Sequence, residues 1–463
     1  MDVEILARIQ FAFTIAFHYL FPPLSIGLGG LLVVMEARWL ATRDRRFLEM
    51  TRFWTRIFGL IFALGVASGI VMEFEFGTNW ASYSRFVGDI FGSALAAEGI
   101  FAFFLESGFL AIVLFGWDKV RPGTHFFATC MVCLGAHFSA VWIVVANSWQ
   151  QTPAGYHIVG HGTGARAEVT SFWEMVFNPS SVDRLIHTVL GAWLAGAFLV
   201  LSVSAYYLLR GRHRWFAVSA IKIALPAAAI CSLLQLASGD SSARIVAVHQ
   251  PAKLAACEGL FQTQARAPLH LFGWVDVEQQ RVIGPAIPAG LSLLVHHDPH
   301  ATVTGLEAFE IEDRPPVQAT FQCFHLMVAT GMLMIAVAWY GVYRWLRGRL
   351  FDNSGRLSRA YLWTLVFAVI LPQIANQAGW FTAEIGRQPW VVYELMRTSD
   401  GLSKVVSAEH VMFSLILFGL IYGLLFVLFV YLLDHKIRQG PESKEPEEGM
   451  AKRYVPGTES EGR

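Results

Sequence analysis

The sequence predicts an all-α polytopic membrane protein with about nine transmembrane helices, its N-terminus outside and its C-terminus cytoplasmic. Three observations carry this. Hydrophobic residues make up 55% of the 463-residue chain and charged residues only 15%, whereas soluble domains carry about 25% charged residues. The apolar residues fall in runs of about 20, the length of a spanning helix rather than of a barrel strand. Arginine-rich loops alternate with basic-poor ones, as the positive-inside rule requires.

The runs lie at about 11–35, 55–75, 94–116, 126–148, 184–209, 216–238, 320–343, 360–381 and 407–433. The first has no basic region before it and no small-residue cleavage site, so it is expected to stay as a helix. Arg38, Arg43, Arg45, Arg46, Arg52 and Arg56 follow the first run. Lys119 and Arg121 follow the third, Arg210, Arg212 and Arg214 the fifth, and Arg344, Arg347, Arg349, Arg356 and Arg359 the seventh. These loops are expected in the cytoplasm, and an odd number of spans then puts the two termini on opposite sides. The chain divides into helices one to six (1–238), an extracytoplasmic loop (239–319), helices seven to nine (320–433) and a polar cytoplasmic tail (434–463). The long loop holds seven prolines, and loops of that length are functional or disordered.

Composition narrows the function. Thirty-five basic residues balance thirty-five acidic ones, which argues against nucleic-acid binding. The five cysteines form no disulfide framework. Cys130 and Cys133 have CxxC spacing but sit in an apolar run, where helix packing is their role.

The polar residues inside the runs carry the chemistry. GWFTAEIGRQPW (379–390) closes the eighth run and places Glu384 at a helix mouth with Arg387 three residues on. A carboxylate at membrane depth needs a partner. Iron is one, with Arg387 holding a porphyrin propionate; an interfacial Glu–Arg pair beside Trp380 and Trp390 is the alternative. His18 lies in the first span, Glu98 early in the third and Glu106 about two turns deeper. His187 begins the fifth span and Met327 the seventh. All of these except Glu106 are expected toward the outer side. Histidine and methionine form the axial pair of low-spin haems, and histidine or a carboxylate serves other haem irons. Gly191 and Gly331 follow His187 and Met327 by four, leaving room for a flat macrocycle or for close helix packing. Pro22 follows His18 by four, so the His18 carbonyl is expected to lack its helical N–H partner.

Longer stretches make these residues specific. They include RIQFAFTIAFHYLFPPLSIG (8–27), FALGVASGIVMEFEFGTNW (62–80), GDIFGSALAAEGIFAFFLES (88–107), VANSWQQTP (145–153), HTV (187–189) and KLAACE (253–258), together with 379–390. With them the chain resembles subunit I of the cytochrome bd quinol oxidases, up to about residue 431. That resemblance implies a low-spin haem b, a high-spin haem b and a haem d, the last replaced by a b haem in some related oxidases. It implies His187 and Met327 as ligands of the low-spin haem, and His18 and Glu384 as axial ligands of the two high-spin haems, in an order it does not fix. It implies Glu98 at the oxygen-reducing site, Glu106 as a proton-path carboxylate beside Ser139, and Lys253 and Glu258 in quinol oxidation within the Q-loop (239–319). The implied activity oxidises membrane quinol outside and reduces O2 to water with cytoplasmic protons. This generates a proton motive force without pumping, in the bacterial cytoplasmic (inner) membrane. The implied partners are a multispan subunit II, an optional small single-helix subunit, quinol, O2 and membrane lipid.

Two departures stand out. His325 occupies a position, two residues before Met327, where the family commonly has arginine; a neutral histidine there would lower the low-spin haem potential or make it pH-sensitive. The Q-loop is short and lacks the C-terminal insertion of long-loop members. His137 is read as helix packing or proton-path polarity. An ion transporter would use the three glutamates but leave His187 and Met327 unexplained. A quinol–cytochrome c reductase b subunit needs two helices with paired histidines, and a haem–copper oxidase needs a copper histidine cluster; the sequence has neither.

Overall fold

The computed structural model describes residues 2–351 and 355–441. Among them, nine helical stretches are long and apolar enough to cross a membrane. The first is broken: α1 (Val3–His18) and α2 (Pro22–Thr42) meet at a three-residue step. Pro22 and Pro23 have no N–H with which to extend α1, yet suit the first turn of α2. The His18 carbonyl is not left bare as the sequence suggested. The Phe21 N–H closes on it at 3.0 Å, one residue earlier than a helical bond.

The second crossing is α3 (Arg45–Thr78), followed by the short α4 (Ala81–Phe86). The third is α5 (Gly88–Glu98), a π-helical turn (Gly99–Phe103) and α6 (Phe104–Phe115), and the fourth is α7 (Pro122–Gln151). A hairpin of β1 (Tyr156–Val159) and β2 (Arg166–Val169), then α8 (Phe172–Val176), leads to α9 (Ser181–Leu209) and α10 (Arg214–His249). Helix α10 continues well past its apolar run, supported by the Asp240–Arg244 pair at 2.9 Å.

The segment after α10 folds on itself. It holds α11 (Pro251–Glu258), β3 (Gln264–Ala265), β4 (Leu269–His270), β5 (Trp274–Asp276), β6 (Arg281–Ile283), β7 (Ala286–Ile287), α12 (Gly290–His296) and β8 (Thr302–Val303). Strands pair as β3–β8, β4–β7 and β5–β6, all antiparallel. Leu260, Phe261, Val275, Leu291 and Leu306 form a small core that packs on Phe321, near the start of α13 (Val317–Leu346). The eighth crossing is α14 (Arg356–Phe367) and α15 (Ile370–Ile385), interrupted where Pro372 lacks an N–H. A β-ribbon of β9 (Trp390–Val392) and β10 (Met396–Arg397) precedes α16 (Ala408–Gln439). The start of the expected polar tail, 434–439, is therefore helical; 442–463 lie outside the described residues.

The main core joins α2, α3, α9 and α10 through Leu28, Phe53, Trp54, Phe198, Tyr207 and Phe216. The α2 and α9 backbones touch at Gly27 and Gly196. A Cβ on Gly27 would sit 2.2 Å from the Ala192 carbonyl oxygen, so only glycine fits this crossing.

Candidate functional site

A cavity of about 1310 Å³ opens among α1, α9, α13 and α15. Ordinary small-molecule pockets hold about 300–1,000 Å³, so this one has room for more than a single such ligand. His18, His187, Met327, Glu384 and Arg387 line it, and α11 adds Lys253 and Glu258. Seven of the nine residues singled out from sequence therefore share one space. Glu98 and Glu106 do not line it.

The two histidines have defined tautomers. Ser238 donates its hydroxyl hydrogen to Gln235 O at 3.1 Å, so its oxygen accepts from His187 Nδ1–H at 2.8 Å. His187 Nε2 keeps its lone pair and takes the Gln235 side-chain N–H at 2.9 Å. Ser68 likewise donates to Leu64 O at 2.7 Å and accepts from His18 Nδ1–H at 3.0 Å. In both cases Nε2 is the nitrogen left basic, which is how an outer hydrogen bond prepares a metal-binding imidazole. A Cβ on Gly379 would lie 2.9 Å from Met327 Sδ, so this glycine makes space for the thioether. Gly331 faces open space, whereas Gly191 makes room for Asn376 Oδ1, which a Cβ would approach to 2.7 Å.

Glu384 sits in a frame of cations. Arg387 donates to one carboxylate oxygen and Asn147 to the other at 2.9 Å; Arg184 in turn donates to Asn147. Arg387 also reaches Gln150 Oε1 at 2.6 Å. Lys253 donates to Gln151 and, at 2.5 Å, to Gln250. The Nε groups of Arg184 and Arg387 are buried and have no hydrogen-bond partner among the described residues. Buried guanidinium N–H groups without acceptors are costly. Two guanidiniums beside one carboxylate, each with a donor to spare, make an anion-binding site that fits porphyrin carboxylates.

Lys253 and Glu258 are both buried, and Lys253 bonds to glutamines rather than to Glu258. They are not a solvated ion pair. Both Glu258 oxygens lack partners among the described residues, and burial pushes this carboxyl up to about 8. Burial, with Arg184 and Arg387 close by, holds the Lys253 ammonium well below its usual value.

Glu98 and Glu106 form a second locus, on either side of the π turn. Such turns often mark functional positions. Ser139 on α7 donates to Glu98 at 2.6 Å. Glu106 packs on Gly135 of α7, where a Cβ would lie 2.7 Å from Glu106 Cγ and 3.2 Å from the Ala102 carbonyl oxygen. A Gly135→Val variant is thus expected to displace Glu106. Turnover should drop about tenfold or more while the haem spectrum keeps its wild-type form. Unchanged turnover would remove Glu106 from the rate-determining path.

His325 is held between two carbonyls: Nδ1 lies 2.9 Å from Phe321 O and Nε2 2.9 Å from His270 O. Both ring nitrogens of His325 are thus engaged by backbone carbonyls. His137 accepts Trp193 Nε1–H at 2.9 Å and donates to Cys133 O at 2.7 Å, which fits the packing role. Sequence reading missed Arg184, Asn147, Gln150, Gln151, Gln235, Ser238 and Ser68. It also missed the buried pair of His125 and Glu36, 2.7 Å apart.

The chain as a whole is similar to known proteins. The family model for cytochrome bd terminal oxidase subunit I matches residues 6–441. Subunit 1 of the Escherichia coli cytochrome bd-II ubiquinol oxidase is 36% identical, covering 96% of this chain and 98% of that one. Subunit 1 of the Bacillus subtilis cytochrome bd ubiquinol oxidase is 37% identical, covering 96% and 95%. The solved bd oxidase from Geobacillus thermodenitrificans superposes with a TM-score of 0.87 at 30% identity, covering 95% of this chain and 99% of that one.

Proposed function

The chain belongs to the cytochrome bd terminal oxidase subunit I family, and from that premise we propose that it is the haem-carrying subunit of a quinol:oxygen oxidoreductase in a bacterial inner membrane. The observation that carries this is the shared cavity, with two tautomer-fixed histidines, Met327 and a cation frame around Glu384. His187 and Met327 would hold a low-spin haem b. His18 and Glu384 would hold the two further haems, a high-spin b and a d-type or second b. When bound, these groups supply one-electron transfer and oxygen reduction at iron. Arg184 and Arg387, each with a buried Nε–H to spare, would bind the haem carboxylates.

The chain's own residues handle protons. On the outer side, within 239–319, the Glu258 carboxylate accepts a proton from the quinol hydroxyl, and Lys253 positions the quinol oxygen. On the inner side, Glu106 passes protons to Glu98, oriented by Ser139. A proton released outside and one consumed from inside, for each electron, build a voltage without a pump. The arginine-rich loops support this orientation. Relatives are named for ubiquinol and, at 32% identity, for menaquinol, so the substrate class is quinol. A multispan second subunit covers the lipid-facing side, where Glu73 of α3 is exposed at membrane depth. A small single-helix subunit is an optional third partner.

The test is the purified complex in liposomes. Quinol should drive oxygen uptake, with protons appearing on the side of the 239–319 segment and disappearing on the other. Proton release and uptake on the same side would refute the proposed arrangement.

A further inference from the structure

Quinol oxidation frees two protons, and one carboxylate at Glu258 holds only one of them. Glu258 is 1% exposed and both its oxygens lack partners among the described residues, so a second acceptor has to lie close by. Strand β4 supplies one. His270 pairs with Ala286 of β7, and its carbonyl oxygen lies 2.9 Å from His325 Nε2 of α13. The neighbouring Leu269 rests on α12, where a Cβ on Gly290 would come within 2.8 Å of Leu269 Cβ. Three elements thus fix the backbone that carries the His270 ring.

The ring is placed for proton chemistry. It lies in hydrogen-bonding range of the Glu258 main-chain carbonyl. Nδ1 is buried and has no partner among the described residues, so Nε2 carries the N–H that faces this carbonyl. Nδ1 therefore keeps a free lone pair. A buried acceptor without a donor is costly, and a bound hydroxyl removes that cost. Burial, and then the neighbouring His325, hold the ring below its ordinary value, so it is neutral near pH 7. The other titratable groups on this part of the cavity wall are Lys253 and Glu258 of α11 and His325 of α13. Leu254, Leu269, Leu271 and Phe324 line it too. A few polar groups in an apolar wall suit a quinol ring, with its apolar faces and two polar ends.

We propose that His270 is a second catalytic base of quinol oxidation. This rests on the reading of 239–319 as the quinol site. One quinol O–H bond breaks with its proton passing to a Glu258 oxygen and one electron leaving the ring. The other O–H bond breaks with its proton passing to His270 Nδ1 and the second electron leaving, and the ring becomes a quinone. Both electrons go on to O2, the oxidant of the family's activity. An imidazolium disfavoured by burial gives its proton up again, on the outer side.

Variants of the purified holo-complex test it. Glutamine keeps an N–H for the Glu258 carbonyl but takes no proton. His270→Gln is therefore expected to lower kcat for quinol about 100-fold, with KM little changed and the haem spectrum of the wild type. A semiquinone radical should build up in its first turnover, read by electron paramagnetic resonance, because the first proton still has Glu258 to go to. Glu258→Gln should show no such radical. His270→Ala, which also serves should the glutamine variant fail to assemble, should recover about tenfold in turnover when free imidazole is added. A wild-type kcat in His270→Gln would overturn the proposal. So would a loss confined to KM, or a loss with neither radical nor imidazole rescue, since a residue that only holds Glu258 in place behaves in that way. Wild-type rates in both Glu258→Gln and His270→Gln would overturn the reading of the quinol site itself.

Discussion

A His187→Ala variant is expected to lose quinol-driven oxygen uptake by at least about 100-fold and to purify with one haem fewer. The reason is local. Nε2 is the ring's basic nitrogen because Ser238 fixes Nδ1–H, and Gly379 leaves space for the Met327 thioether on the same cavity wall. Alanine removes the nitrogen without disturbing the α9 backbone. The haem count, from pyridine haemochrome analysis, separates ligation from folding. Ser238→Ala should keep the haem and slow turnover by about tenfold, since it frees the ring to turn without deleting it. A His187→Ala complex with a full set of haems would remove His187 from the ligand set.

The second large effect belongs to Glu258. Burial holds its carboxyl at about 8, so near pH 7 it is mostly protonated and cannot accept a proton from quinol. Raising the pH through about 8 converts it to the carboxylate, and quinol oxidation should rise with it. Glu258→Gln should remove this rise and slow oxidation by about 100-fold or more. Stability should move the other way. The folded value lies above the ordinary 4.5, so the stabilising contribution is fully present below about 4.5 and is lost as the pH rises through about 8. At pH 9 the glutamine variant should therefore be more heat-stable than wild type while less active. A variant as active as wild type across this range would exclude Glu258 as the base.

The membrane architecture was legible because it depends on run length and loop charge, which are local in sequence. The break before Pro22 was signalled by the proline itself, but the closure of Phe21 on His18 O was not, since a three-residue step has no composition of its own. The ligand candidates were legible as polar residues in apolar runs. Their partners were harder. Asn147, Gln150 and Gln151 stand in the quoted stretch 145–153, yet nothing local tells that they bridge Arg184, Arg387 and Lys253 from three other elements. The π turn between Glu98 and Glu106 has no sequence mark beyond Gly99. His125 and Glu36 lie 89 residues apart and meet only when α2 packs on α7. Gly191 shows the limit of spacing arguments: placed correctly on the cavity wall, it accommodates Asn376 rather than a free face.

The most direct test of the central claim is the reduced-minus-oxidised absorption spectrum of the purified complex, with pyridine haemochrome analysis. The account predicts three haems per complex, with b-type bands and either a far-red chlorin band or, in its place, a third b haem. A preparation active as a membrane protein but free of haem would contradict it, and with it every role assigned to the cavity lined by His18, His187, Met327 and Glu384.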